Sequence, residues 1–277
     1  RKAARKRILE VANALTGHKF ADDTLIVATS GRYEFKNKGI DVFIHAMRRC
    51  LDQSADLKNE VLALIQVPGW VAGPRADLQA RLDFPQVYDT ALDNPVITHD
   101  LHEMQHDQVL NLFRALNISN SEESKVKVIF VPCYLDGADG IFQMPYYDLL
   151  IGNDLAVYPS YYEPWGYTPL EAVAFHVPCI TTSLSGFGIW AQTVKGDIST
   201  LEDGVEVIAR NDYNNDEVAQ AICHALLRYS ACSDQERDAM RKKASALSKK
   251  ALWKNFFTYY KQAYAIALEN AKLRQSK

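Results

Sequence analysis

The sequence lacks several features that would point to particular classes of protein. No apolar run approaches the roughly 18 residues that a membrane-spanning helix needs, so we expect no contact with a membrane. There is no surplus of basic residues, since the formal net charge is −3, and this argues against a nucleic-acid partner. The five cysteines are scattered without the paired spacing of metal ligands, which favours a reducing, cytoplasmic setting.

The chain also lacks a secretory signal and an initiating methionine. We therefore expect a fragment or a processed product. What is present is ordinary for a folded domain, with 48% hydrophobic and 23% charged residues in 277. The basic segment RKAARKR (1–7) has the spacing of a solvated helix face.

Strand-like apolar runs alternate with helix-like segments along the chain. This alternation predicts an α/β fold, a parallel sheet with helices on both faces. Residues 69–98 are rich in Pro, Gly and Asp, which predicts an excursion from the sheet. We expect strands at 24–30, 61–67, 125–132, 155–160, 179–183 and 204–209, and helices at 3–16, 40–53, 106–116, 169–175 and, in three pieces, 216–277.

Ligands of such sheets bind beyond the carboxyl ends of the strands, and a first candidate site falls there. The segment SGRYEFKNKG (30–39) places Arg32 and Lys38 after a buried strand. A diphosphate suits these two cations, because arginine offers a planar fork and lysine a point charge. An exposed basic loop is the alternative.

The second candidate site is SYYEPWGYTPLEAVAF (160–175). Thr168 as N-cap, with Glu171 three positions later, predicts a capping box at a helix start. The free N–H groups of Tyr167 and Thr168 at that start could hold a phosphate, and Glu171 could accept hydrogen bonds from a ribose. A purely structural role of Glu171 as a cap is the alternative.

Glu163 and Glu171 do not have the spacing of a hydrolytic pair. Eight helical residues span about 12 Å, whereas hydrolytic carboxylate pairs lie about 5–9.5 Å apart. Pro164 also predicts that Glu163 lies on the loop before the helix. Gly166 in the same loop would let the backbone approach a ligand closely.

Three segments together carry a family resemblance: GRYEFKNKGIDVF, YPSYYEPWGYTPLEA and TTSLSGFG. They resemble glycogen synthases of the animal and fungal type, glycosyltransferase family 3, over about residues 1–251. The resemblance implies the GT-B architecture, in which two Rossmann-like domains form a cleft. This chain resembles the C-terminal, nucleotide-sugar-binding domain with its final helices at about 216–277, and we expect the N-terminal domain that completes the active site to be absent from it.

The same resemblance implies roles for nine residues. It makes three of them catalytic: Glu163 beside the donor glucose, and Arg32 and Lys38 on the phosphates. Tyr146 would stack on uracil, although Tyr147 beside it leaves that register open. The remaining implied donor contacts are backbone contacts to the sugar and the diphosphate and a side-chain contact to the ribose: Trp165, Gly166, Tyr167, Thr168 and Glu171.

The function implied is retaining transfer of glucose from UDP-glucose to the non-reducing end of an α-1,4-glucan. Arg32 and Lys38 would stabilise the leaving phosphate, so that no metal and no cofactor are expected. We expect the chain alone to be inactive, because only one wall of the cleft is present. A non-catalytic nucleotide-sugar-binding module is the alternative.

Two further segments need an interpretation. HEMQH (102–106) satisfies the zinc-protease pattern with His102, Glu103 and His106, and His99 could join a surface metal site, but a polar loop is the favoured interpretation. The segment that would match the family's arginine-dense sensor of glucose 6-phosphate has few cations and is interpreted as a solvated helix face: Arg237, Arg241, Lys242 and Lys243.

Overall fold

The structure is a computed structural model that describes residues 1–196 and 199–275. Its largest feature is a six-stranded sheet in the order β5-β2-β1-β6-β7-β8, in which every neighbouring pair is parallel. The other two strands of the described residues pair as a small antiparallel sheet. The strands are β1 Leu25–Ser30, β2 Val61–Gln66, β3 Val71–Pro74, β4 His99–Leu101, β5 Val126–Val131, β6 Leu155–Val157, β7 Cys179–Thr182 and β8 Val205–Ile208.

Helices cover both faces of the sheet, as the alternating pattern predicted. They are α1 Lys2–Thr16, α2 Ile40–Asp52, α3 Ala76–Asp83, α4 Gln108–Ala115, α5 Tyr146–Leu150, α6 Tyr167–Ala174, α7 Gly186–Lys195, α8 Asn215–Ala231, α9 Asp234–Ser248 and α10 Trp253–Gln275. Three short 3-10 segments complete the order at Ser54–Asp56, Leu201–Asp203 and Lys249–Ala251. Among the described residues no helix combines the length and the apolar character that a membrane crossing needs.

The period of two along the central strand separates the hydrophobic core into two layers. Leu25 and Val27 of β1 pack with residues of α2, α4 and α8, whereas Ile26 and Ala28 pack with residues of α1, α3 and α5. A third cluster joins β6 and β7 to α6, α7 and α9. Because both faces of β1 are buried, its sequence is a continuous apolar run rather than an alternating one.

The strand order reverses between β1 and β6. In a parallel sheet the loops that leave such a pair turn to opposite faces, and a crevice opens beyond their carboxyl ends. The segments that leave β1 and β6 are the two candidate sites of the sequence analysis. The topology therefore brings them to one place.

The basic N-terminal segment is not the solvated face that its spacing predicted. Arg1 and Arg5 each bond the carboxylate of Asp154 at 2.5 Å, and Asp154 is buried just before β6. Arg241 of α9 bonds the same carboxylate at 3.2 Å. A buried carboxylate needs partners of opposite charge, and these arginines supply them. Lys2 and Lys6 match the prediction of a solvated face, and Arg1 matches it in exposure although it also bonds Asp154.

The predicted excursion contains regular structure that the composition did not reveal. Within residues 69–98 the chain forms β3 and α3, and β3 then pairs with β4 just beyond. The zinc-protease pattern, in contrast, has no helix to carry it. Residues 102–106 form turns, and α4 begins only at Gln108 after the N-cap Asp107. The two histidines therefore do not lie on one helical face, and the metalloprotease alternative is wrong in geometry.

Three helices follow β8, as predicted, although the last two residues of the predicted helical region lie outside the described residues. Arg237 and Arg241 of α9 correct the expectation of a solvated face. Arg237 donates to the side-chain oxygen of Asn59, and Arg241 donates to the carbonyls of Asn153 and His176. The lysines at 242 and 243 do lie on the exposed side, while α10 has no buried residue among those described.

Candidate functional site

The centre of the site is an ion pair between the loop after β1 and the loop after β6. The Lys38 ammonium bonds the Glu163 carboxylate, and their side chains are only 15% and 17% exposed. Two of the three residues expected to be catalytic therefore meet at the strand-order reversal. The ion pair links the two loops directly through side chains that are mostly buried.

Arg32 occupies a different position in the same loop. Its side chain is 76% exposed, and its guanidinium bonds the carboxylate of Glu34 at 2.8 Å. Among the described residues no hydrogen bond or ion pair joins it to Lys38 or Glu163. Its long side chain keeps the freedom to turn toward a ligand, because exposed ion pairs contribute little to stability.

Helix α6 begins two residues earlier than the sequence predicted, and the predicted capping box is absent. Gly166 is the N-cap, with φ of 104° and ψ of 82°, and no side chain caps the helix. Thr168 is the second helical residue, and Glu171 lies too far along the helix for a reciprocal cap. The left-handed turn at Gly166 makes the earlier start possible, and Pro169 in the first turn removes an N–H that would have no partner.

This helix start leaves backbone donors free. Within the described part of the chain the N–H groups of Gly166, Tyr167 and Thr168 donate to no protein acceptor. Free N–H groups and the helix dipole together favour an anion at this end of α6. The free N–H groups predicted at Tyr167 and Thr168 are therefore present without the predicted cap, and their binding of a phosphate stays a prediction.

The segment 163–166 is fixed by the loop that begins α7. The Glu163 N–H donates to the Leu184 carbonyl at 3.2 Å, and the Gly186 N–H donates to the Glu163 carbonyl at 3.0 Å. The Trp165 carbonyl accepts from the Phe187 N–H at 2.6 Å. These bonds hold the backbone of Glu163 independently of its side chain.

The Trp165 ring has a packing role. Its centroid lies 5.4 to 6.2 Å from those of three other aromatic rings: Phe187, Trp190 and Phe256. Its carbonyl is occupied, so the Trp165 N–H is the group left for the backbone contact to a sugar that the resemblance implies. The cluster also joins α10 to the site loop.

Two neighbouring tyrosines take different environments at the start of α5. The Tyr146 hydroxyl bonds Ser30 Oγ at the end of β1 at 2.7 Å, and burial raises the pKa of Tyr146. Tyr147 is exposed, lies parallel to the Phe175 ring at 5.2 Å, and donates its hydroxyl to Glu171 Oε1 at 2.8 Å. The sequence did not reveal the contacts of Ser30 and Tyr147, because both depend on how α5 meets the sheet.

Among the described residues one group of potential metal ligands lies outside this centre, at His99, Cys133 and Asp139, and its histidine and carboxylate already have partners. Three backbone N–H groups, at positions 141–143, donate to the Asp139 carboxylate. His99 is buried rather than on the surface, and its Nε2 lies 2.9 Å from the Asp139 carbonyl. Burial raises the pKa of the neighbouring Cys133 thiol to about 12. The cluster is explained as the cap of a turn.

The fold is shared with solved glycosyltransferase-type structures. It is similar to an α,α-trehalose-phosphate synthase (UDP-forming) from Burkholderia vietnamiensis, with a TM-score of 0.53 and 14% identity over 98% of this chain and 50% of that chain. It is also similar to the N-terminal domain of Candida albicans trehalose-6-phosphate phosphatase, with a TM-score of 0.52 and 17% identity over 94% of this chain and 43% of that chain. The fold is therefore that of one Rossmann-like half of a GT-B glycosyltransferase.

The sequence defines the family. The glycogen synthase family matches residues 87–276. The chain is 26% identical to a glycogen [starch] synthase of Neurospora crassa over 90% of this chain and 42% of that protein, and 28% identical to one of Caenorhabditis elegans over 90% and 44%. The chain belongs to the glycogen synthase family, as the motifs indicated, and it spans less than half the length of these relatives.

Proposed function

We propose that the chain is the donor-binding half of a retaining glucosyltransferase. It binds UDP-glucose, and the complete protein transfers the glucose to the non-reducing end of an α-1,4-glucan. The observation that carries this proposal is the Lys38–Glu163 ion pair, which lies where the two site loops meet. A cation for phosphate and a carboxylate for the sugar are thus at the carboxyl edge where nucleotides bind in such folds.

In this proposal the diphosphate binds between Lys38 and the start of α6. The ammonium of Lys38 and the free N–H groups of Tyr167 and Thr168 neutralise its charge, and Arg32 turns in from the loop surface to add its guanidinium. As the bond between glucose and phosphate breaks, negative charge grows on the leaving oxygen. Donors already in place stabilise that charge without a metal.

Glu163 acts on the sugar side of the breaking bond. Its carboxylate orients the donor glucose and stabilises the positive charge that develops at the anomeric carbon, without forming a covalent intermediate. The N–H groups of Trp165 and Gly166 contact the sugar hydroxyls. Glu171 accepts from the ribose, and the partly buried Tyr146 supports the base.

The chain alone binds nucleotide but transfers glucose poorly. Proximity and exclusion of water need both walls of a cleft, and the chain spans less than half the length of its relatives. Robust incorporation of labelled glucose into glycogen by these 277 residues would refute this part of the proposal.

Calorimetric titration in EDTA tests the binding function. We expect UDP to bind clearly more tightly than uridine, because the proposed site holds the diphosphate. Equal affinity for UDP and uridine would overturn the phosphate site, and a requirement for a divalent cation would overturn the metal-free mechanism.

A further inference from the structure

A buried arginine lies beyond the carboxyl end of β8 and has no role in the site described above. Arg210 is only 6% exposed, and its Nη2 donates to Asn215 Oδ1 at 3.1 Å. Its Nε and Nη1 are buried and find no acceptor within the described residues. A buried guanidinium with unused donors is costly to keep, so its position needs an explanation other than stability.

The guanidinium lies between the two loops that form the site. A Cβ placed on Gly39 would be 2.8 Å from Arg210 Nη1, so the backbone of the first loop passes directly against the charged group. On the other side Arg210 stacks over the Tyr161 ring, with 5.6 Å from Cζ to the centroid. The Tyr161 N–H in turn donates to the Asn37 carbonyl at 2.8 Å, which joins the two loops to each other.

The residues next to these contacts are those of the ion pair. Lys38 lies between Asn37 and Gly39, and Glu163 follows Tyr161 by two residues. Since Gly39 has a left-handed φ of 66°, the backbone there has a fixed and unusual direction. Any shift of the guanidinium would therefore change where the Lys38 side chain leaves the backbone.

The charge of Arg210 faces a single buried carboxylate. Asp41, in the first turn of α2, is 4% exposed and bonds Lys36 Nζ through Oδ2 at 2.6 Å, while its Oδ1 has no partner. Burial lowers the pKa of Arg210, and the charge of Asp41 opposes that shift. No ion-pair contact joins the two, although both are described. The guanidinium therefore lies near the charge of Asp41, while its close neighbours are Gly39 and Tyr161 of the two loops.

We propose that Arg210 is a positioning residue that sets Lys38 for the diphosphate by fixing the turn at Asn37–Gly39 against the loop that carries Glu163. This inference rests on the proposed function, because it assumes that Lys38 binds phosphate. It predicts a loss that is selective for the diphosphate part of a ligand. A merely structural role would lower stability without changing that selectivity.

The test compares affinities for UDP and uridine in the wild type and in Arg210→Gln. We expect Arg210→Gln to lower the affinity for UDP about tenfold and to leave the affinity for uridine unchanged. A tenfold loss is in keeping with the loss of one charge-assisted contact. Arg210→Lys, which keeps the cation, should recover most of the UDP affinity. Arg228→Gln is the matched control, because Arg228 bonds Glu206 at 2.8 Å on the outer side of β8 and should change neither affinity.

The ratio of the two affinities decides the outcome even if the variant is partly unfolded, because unfolding lowers the number of sites rather than the ratio. If Arg210→Gln does not fold, Tyr161→Leu removes the ring beneath the guanidinium and should give the same selective loss. A wild-type ratio in Arg210→Gln, or in Tyr161→Leu where that variant is used, overturns this proposal alone. A wild type that binds uridine as tightly as UDP overturns the proposed function and this proposal with it.

Discussion

The Lys38 ammonium bonds the Glu163 carboxylate across the strand-order reversal. Each group therefore already has a partner of opposite charge when no ligand is bound. The two charges of the pair should have opposite effects on the binding of a diphosphate. In the proposed function Lys38 attracts the diphosphate of the donor, whereas the charge of Glu163 repels it. Binding of the nucleotide and transfer of the sugar should therefore respond differently to changes at these two positions.

Replacing Lys38 by Met should lower the affinity for UDP by roughly tenfold or more, because a partly buried cation is lost from the phosphate site. Glu163→Gln should instead bind UDP as tightly as the wild type or a few times more tightly, since one negative charge leaves and the ammonium is released. In the complete protein the same Glu163→Gln should abolish transfer. Calorimetry on the chain and a transfer assay on the complete protein measure the two effects, and weaker UDP binding by Glu163→Gln would contradict the assignment.

Glu171 should contribute to nucleotide binding and little to stability. It accepts from the exposed Tyr147 and does not cap α6. We expect Glu171→Gln to lower the affinities for uridine and for UDP to the same extent. The free energy of unfolding should change by less than about 0.5 kcal/mol, as for other surface changes. Tyr147→Phe is the companion variant. Denaturant melts that show a loss of about 1 kcal/mol or more, the scale of a lost cap, would restore the capping role.

Gly166→Ala should reduce both stability and UDP affinity. The residue has φ of 104°, and an added Cβ would lie 2.9 Å from Ser185 Oγ, so the start of α6 would have to move. We expect a cost of about 1–3 kcal/mol. Gly196→Ala is the control, because Gly196 also has a positive φ of 95° but no atom among the described residues lies within 4 Å of an added Cβ. If Gly196→Ala lowers the affinity for UDP as much as Gly166→Ala does, a shifted start of α6 is not the cause of the lower affinity.

Asp154→Asn should cost about 3–5 kcal/mol at neutral pH, because it removes the buried carboxylate that Arg1, Arg5 and Arg241 share. Burial alone would raise the pKa of Asp154, but the charges of Arg5 and Arg1 and a backbone donor outweigh it and lower the pKa. The folded-state pKa is therefore below the unfolded value of about 3.9. The carboxylate contributes its full stability above that value and loses it as the pH falls through the folded pKa.

Urea melts from pH 7 to pH 3 measure this dependence. The difference between the wild type and Asp154→Asn should stay constant down to about pH 4 and shrink below it. Asp234→Asn is the control, since Asp234 is fully exposed in its pair with Arg237. A difference that grows as the pH falls would contradict the sign of the argument.

The elements with a strong local pattern could be predicted from the sequence. The apolar run of β1 indicates a buried strand without reference to distant residues. Gly17 likewise indicates the end of α1, and it has the left-handed φ of 67° expected of a residue that ends a helix. The short strand β6 was overestimated, because its apolar sequence continues into a loop whose partners are distant. Helix α7 was missed, since Gly186 and Gly188 suggest a loop, although neither has room for a side chain.

The site could be predicted as a set of segments but not as a set of contacts. The motif placed Thr168 at the helix cap because it matched the local rule, whereas Gly166 takes that position through its contact with the α7 loop. Arg210 gives no local signal at all. The role proposed for it rests on its position against Gly39 and Tyr161, which are distant in sequence, and only the folded arrangement shows that position.

A crystal structure of the 277-residue chain with UDP tests the central claim most directly. The account predicts that phosphate oxygens lie about 3 Å from Lys38 Nζ and from the N–H groups of Tyr167 and Thr168, with no metal between them. A diphosphate bound away from both the lysine and the start of α6 would contradict it.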